Sequence, residues 1–375
     1  MRLSKSFSPL LLGFCLLASS TLLATPKPSS KQDQLIFAID LIRHGDRNPI
    51  VALSTVPHQW PEGLGQLTPL GMHQEYELGK KYRHRYIDQV KLLPKSYQAG
   101  TLYVRSTDID RTLMSAECFL MGLYPPGSGP RIGASLFSRA ALPGRFQPIP
   151  IHTAPKDHDP LLLPKIEEAI KENVLSSAEW RKKRELLKPY FASWSQATGF
   201  PIKSERDIGP LGDALFIHQL KHIPFPKNLS QKEAAKIIDQ QKDALKKKFN
   251  TPAIGRAAGG PLLRDIAHYL TEAAVANNAS VQRPQTSSKP TLRYVLYSAH
   301  DSTILALMSA MHVPLDTPPH YASDVNISLF SRPDHSAYVR FLYNEKPVLL
   351  PCSDTDGRCS LKAFLKLALL TQEKK

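Results

Sequence analysis

Residues 35–49 read Leu-Ile-Phe-Ala-Ile-Asp-Leu-Ile-Arg-His-Gly-Asp-Arg-Asn-Pro, and the fold turns on this stretch. Residues 35–42 are apolar throughout except for one Asp. Such a run, closed downstream by Gly45 and Pro49, is the pattern of a strand buried on both faces. Outward from it, the same texture recurs twice. Residues 101–104 lead into Arg105-Ser106-Thr107 and a helical pattern from about 108 to 123; residues 292–297 lead into Ser298-Ala299-His300 and a helical pattern over 304–311. Strand followed by helix, repeated along a chain, builds an α/β fold with a mostly parallel sheet and flanking helices. Residues 325–330 and 338–343 are β-rich runs separated by Ser-Arg-Pro-Asp-His-Ser, which predicts an antiparallel hairpin added to the sheet edge.

Between the second and third strands the texture changes. Residues 160–249 are charged and helical. Ser176 with Glu179 makes a capping box ahead of Trp180, Leu187, Phe191 and Trp194 on one face, and Gly199 ends that helix. Ser230 with Glu233 makes another, ahead of Ile238, Leu245 and Phe249, with six lysines between Lys232 and Lys248. Acids interleave with those lysines, so they read as a solvated face rather than a nucleic-acid patch. The predicted organisation is an α/β catalytic domain from 33–155 and 252–372, interrupted by a helical cap domain at 156–251.

Each of the three strands delivers chemistry at its carboxyl end, where open α/β sheets bind ligands. The first gives Arg43-His44-Gly45-Asp46-Arg47, the second leads to Arg111 near the start of its helix, and the third gives His300-Asp301. Three arginines gathered in one crevice repel unless an anion sits among them. Guanidinium forks match tetrahedral phosphate oxygens bidentately, and helix N-termini add backbone donors. Phosphoryl transfer follows, with His44 as the nucleophile, Asp301 protonating the departing alcohol, and Arg43, Arg47, Arg111 and His300 holding the phosphate. With charge neutralised by arginine, no metal or other cofactor is expected. A bound dianion raises the Asp301 pKa while the arginines lower it, and the expected pH optimum is acidic. Asp157-His158-Asp159 is the nearest approach to a metal motif and reads as a solvated loop. No Walker A, His-Glu-x-x-His or Gly-x-Ser-x-Gly sequence occurs, and Gly63-Leu64-Gly65 continues to Thr68 where a dinucleotide fingerprint needs Gly.

The chain has 375 residues, 48 Lys plus Arg against 33 Asp plus Glu, a formal charge of +15, 4 Cys and 42% hydrophobic residues. That composition excludes disordered, collagen-like and many-spanning membrane classes. Arg2 and Lys5 precede an apolar run at 9–18 and small residues up to Ala24, the pattern of a secretory signal peptide over 1–24. The expected location is therefore secreted or periplasmic. Export permits disulfides, and Cys352 and Cys359 bracket a polar turn that a short bridge would close, leaving Cys118 as a buried helical thiol. Asn228, Asn278 and Asn326 each open an Asn-x-Ser sequon.

Arg-His-Gly-Asp-Arg-Asn-Pro after a strand, with Tyr297-Ser298-Ala299-His300-Asp301 later, resembles the histidine acid phosphatases of the histidine phosphatase superfamily. The likeness spans most of the chain after the leader: Gly63-Leu64-Gly65-Gln66-Leu67-Thr68 with Gly71-Met72, Arg105-Ser106-Thr107-Asp108-Ile109-Asp110-Arg111-Thr112, Ile149-Pro150-Ile151-His152-Thr153 and Tyr321-Ala322-Ser323. It implies a phosphoglycerate mutase-like fold and the six site roles assigned above. Animal members carry more half-cystines, so their bridge pattern does not transfer. Ser302-Thr303 stands where phytases usually have Thr-Asn, which favours a general acid phosphatase over a phytase or sugar-phosphatase specialist. The expected partners are small phosphate monoesters, with phosphoproteins and a homodimer left open, and neither nucleic acid nor membrane. A basic anion-binding protein with a vestigial site is the alternative from another class.

Overall fold

The five main strands are β1 (Gln34–Arg43), β2 (Leu102–Ser106), β3 (Tyr294–Ala299), β4 (Asp324–Ser331) and β5 (Ala337–Tyr343), in the spatial order β2-β3-β1-β4-β5. The computed structural model describes residues 33–133, 138–163, 166–282 and 290–371. The expected signal peptide at 1–24 lies outside the described residues. β1, β2 and β3 are the strands read from the sequence, and β3 pairs in parallel with both of the others. The β4–β5 hairpin extends the sheet by antiparallel pairing of β4 with β1. Arg43 lies opposite Ala299 and Ser106 opposite Ser298, so all three parallel strands end at one level.

Helices on both faces explain why β1 is apolar without alternation. On one face, Leu78 and Tyr82 of α1 (Pro69–Arg83) and Phe119 and Leu123 of α2 (Asp110–Leu123) pack on Ala38, Ile42 and Leu296. The other face carries Phe37, Ile39, Leu41 and Val295 against later helices, among them Leu262 and Ile266 of the helix Gly260–Gln282. Asp40, the one polar residue of the run, faces α1 and is fully buried. It accepts from Tyr86 Oη at 3.1 Å and from Asn326 Nδ2 at 2.7 Å. Asn326 is itself buried in β4, so of the three sequons only Asn228 and Asn278 are exposed.

Residues 166–249 differ in detail from their sequence reading. Ser177, not Ser176, caps α3 (Ala178–Leu187), accepting from Trp180 N at 3.1 Å. Pro189 then breaks the predicted single helix, because proline removes a backbone donor. A second piece, Phe191–Thr198, ends at Gly199 with φ 67°. α4 (Ile208–Leu220) and α5 (Gln231–Phe249) follow, the latter carrying the Ser230–Glu233 capping box. Trp194, Leu211, Leu215, Ile237 and Ile238 form a core of their own, while Trp180, Ile170 and Val174 share one with Ile254 and Ala306. The lysines of α5 are not a simple solvated face. Lys236 lies 3.6 Å above the Tyr190 ring and Lys242 5.2 Å from the Phe216 ring, their stems covering apolar surface. Cys352 and Cys359 are joined in a disulfide, and Cys118 on α2 is half-buried. No helix among the described residues is long and apolar enough to cross a membrane.

Candidate active site

The loop after β1 is pressed onto the start of α1. A Cβ on Gly45 would lie 2.3 Å from Gly71 O, and one on Gly71 2.2 Å from Asp46 O. Only paired glycines permit this approach. Thr68 caps α1 and its Oγ1 donates to Asp46 Oδ2 at 2.6 Å, while Asp46 N donates to Gln74 Oε1 at 2.8 Å. Arg43, His44 and Arg47 thus leave the sheet on a braced turn, each buried. His44 Nδ1 lies 2.9 Å from Gly45 O. A carbonyl only accepts, so Nδ1 holds the proton and the lone pair sits on Nε2. Burial, then Arg43, His300, Arg47 and Arg111, push the His44 pKa well below the usual imidazole value, and the ring is neutral.

The other predicted residues converge on the same place. The His300 ring is 5.6 Å from that of His44, and Arg43 Nη2 pairs with Asp301 Oδ2 at 2.9 Å. Burial raises the Asp301 pKa, but Arg43, Arg47 and His300 outweigh it and hold the carboxyl below its ordinary range. α2 starts at Asp110 rather than Asp108, which makes Arg111 its second residue. Burial and the neighbouring Arg47 press the Arg111 pKa down to about 10. The Nε–H groups of Arg43, Arg47 and Arg111 are each buried and without a hydrogen-bond partner among the described residues. Three such donors around one neutral histidine are costly unless an anion accepts from them.

Several residues of the site went unread in the sequence. Asp213 of α4 grips Arg47 with two bonds, Nη1 to Oδ2 at 2.8 Å and Nη2 to Oδ1 at 2.9 Å. It is the only acid in that helix, with apolar residues and glycines around it from Ile208 to Ile217, and that oddity was the available signal. Lys221, at the end of the same helix, pairs with Asp46 Oδ2 at 2.6 Å. Thr107 Oγ1 lies 3.1 Å from His300 Nε2 and 2.7 Å from Thr112 Oγ1. Thr112 Oγ1 donates to Ile109 O at 2.7 Å, so Thr107 donates to Thr112 and accepts from His300 Nε2. Tyr321 lies under Arg43, with the guanidinium 4.3 Å from the ring centre. Of the loop read as solvated, Asp157 and His158 are exposed, but Asp159 is fully buried and committed to Arg105 at 2.6 Å.

A cavity of about 480 Å³ opens beside Arg43 and Asp301. Leu70, Phe216, Leu220, Leu245, Pro318 and Pro319 supply apolar wall, with Lys221, Lys242 and His320 as its basic groups.

Residues 34–344 match the model of the histidine phosphatase superfamily, branch 2. Lysosomal acid phosphatase of Bos taurus is 33% identical over 359 residues, covering 91% of this chain and 78% of the bovine protein. Prostatic acid phosphatase of Homo sapiens is 31% identical over 353 residues, covering 89% of this chain and 84% of the human one. Among solved structures, the Hafnia alvei phytase in its apo form superposes with a TM-score of 0.60 at 21% identity, covering 92% of this chain and 98% of the phytase, a likeness of fold. With the arginines, the histidine pair and Asp301 assembled at the strand ends, the chain belongs to branch 2 of the histidine phosphatase superfamily.

Proposed function

We propose that this protein is an acid phosphatase that hydrolyses phosphate monoesters through a phosphohistidine on His44. The observation that carries the reading is the set of three buried, unpartnered guanidinium Nε–H groups around a neutral His44 whose Nδ1 proton is already committed. Arg43, Arg47 and Arg111 hold the three terminal oxygens. His44 Nε2 attacks phosphorus, the P–N bond forms, the P–O bond to the alcohol breaks, and Asp301 gives that oxygen its proton. A water molecule then attacks phosphorus, loses its proton to the Asp301 carboxylate and releases His44 with inorganic phosphate. Asp301 starts ionised beside Arg43; the arriving dianion draws Arg43 to itself and raises the carboxyl pKa, so turnover requires a proton that acidic solution supplies. His300, its ring 5.6 Å from that of His44, completes the wall of the phosphate cage.

The residue roles and the division into a catalytic domain and a cap at 156–251 are part of this proposal. The apolar wall of the cavity supports a general monoesterase over a specialist for a polyanion such as phytate, because Lys221 is already paired and Lys242 lies over a ring. The disulfide and the leader-like start support export. His44→Ala is expected to lower hydrolysis of p-nitrophenyl phosphate by at least about 10³-fold, and acid-labile, base-stable label from a radioactive ester to appear on wild type only. Near wild-type turnover by the variant would refute the nucleophile assignment.

A further inference from the structure

Asp213 sits at the mouth of the phosphate site, on the cap segment, and lines the same cavity as Arg43, Asp301 and Tyr321. Its two bonds occupy the Nη1–Nη2 end of Arg47, and Nη1 also donates to Asn48 O at 3.1 Å. The end of the fork is therefore closed to an ester, and the edge left over is Nε–H with Nη2, the edge whose Nε is buried and free. Eight residues on, Lys221 holds Asp46, so one helix grips both charged residues that follow the histidine.

The charges give Asp213 a second role. Arg43, Arg47 and Arg111 are positive, Asp213 is negative, Lys221 and Asp46 cancel, and His44 and His300 are neutral. Lys242 lies over the Phe216 ring on the cavity wall, which Tyr321 and His320 also line, while Asp108, Asp110 and Lys156, all exposed, line the groove beside Arg111 and stay outside this buried sum. An ester dianion with Asp301 protonated brings the sum to zero. Without Asp213 the same complex is one charge positive, and an excess positive charge in a buried site drives the proton off the neighbouring carboxylic acid.

We propose that Asp213 is a positioning residue that turns Arg47 edge-on to the phosphate and, by balancing one arginine charge, keeps Asp301 protonated in the substrate complex. This rests on the phosphohistidine reading above and deepens it. The test uses the full chain with Asp213→Asn and Asp213→Glu, inorganic phosphate as competitive inhibitor, and kcat against pH on glycerol phosphate. Asp213→Asn keeps an oxygen that accepts from Arg47 and removes only the charge, so phosphate is expected to inhibit about tenfold more tightly, and the alkaline limb of kcat to move down by about one pH unit. Asp213→Glu restores both. Asp213→Ser repeats the charge change if the asparagine variant does not fold. Weaker phosphate inhibition, or an unmoved alkaline limb, would overturn the inference, since a residue that merely props the helix predicts these. Either result in an enzyme that still requires His44 refutes the role of Asp213 alone; an active His44→Ala enzyme refutes the reading beneath it.

Discussion

On the proposed mechanism Asp301 has two jobs that depend on one bond. In the free protein its Oδ2 accepts from Arg43 Nη2 at 2.9 Å, which keeps the carboxyl ionised. The proposed turnover requires it to let go of that arginine and carry a proton. Asp301→Asn keeps the shape and removes the acid, so its effect depends on how much the departing oxygen needs help. Hydrolysis of glycerol phosphate is expected to fall by about 10²–10⁴-fold, and that of p-nitrophenyl phosphate, whose phenolate leaves unaided, by far less. Equal losses on both esters would contradict the acid role. Arg43, His44 and Arg47 were legible in the sequence because one short turn carries all three. Asp213 was not, because its partner lies 166 positions away and neither local propensity nor composition links an acid in an apolar helix to an arginine after a strand.

At the scale of elements, the parallel strands were readable because burial on both faces erases alternation, leaving short apolar runs that turn residues close before a helix begins. The helices of the insertion were read less well. Ser176 and Ser177 are both good caps, and only the geometry selects Ser177; Pro189 sits inside a periodic pattern that its missing donor interrupts. The joint between the β1 loop and α1 is a close backbone contact next to His44. Gly71→Ala puts a methyl group 2.2 Å from Asp46 O, and backbone, unlike a flexible side chain, has nowhere to go. The expected result is a loss of about 3 kcal/mol in urea unfolding and at least a tenfold fall in kcat as His44 is displaced. A variant as stable and active as wild type would mean that the loop is not braced by this contact.

Over the whole molecule, the buried ionisable groups pull in opposite directions with pH. Burial lowers the pKa of His44 and His300, so these rings favour the fold near neutrality and lose that contribution as the unfolded chain takes up protons below about pH 6.5. Asp40, Asp324 and Glu75 lie behind the site between β1, β4 and α1. Burial raises all three, Asp40 to about 6 and Glu75 well above its usual value, and both Glu75 oxygens are without hydrogen-bond partners among the described residues. An acid raised in the fold contributes fully below its unfolded pKa and loses that contribution as pH rises through its folded one. Glu75→Gln removes only this dependence, because the other groups are common to both proteins. The stability of the variant relative to wild type is expected to rise by about 1.4 kcal/mol per pH unit above pH 4.5 until the Glu75 carboxyl ionises in the fold. A stability gap that urea unfolding shows to be the same at pH 4.5 and pH 7 would sink this account. Asn326 belongs to the same buried layer, its amide shared between Asp40 and Tyr86. Its sequon is open to a glycosyltransferase only while the chain is still emerging, and a sugar attached then could not be accommodated once β4 closes on β1. The choice of expression host is therefore a folding variable for this protein: a cell without that transferase produces chains that can all complete the sheet.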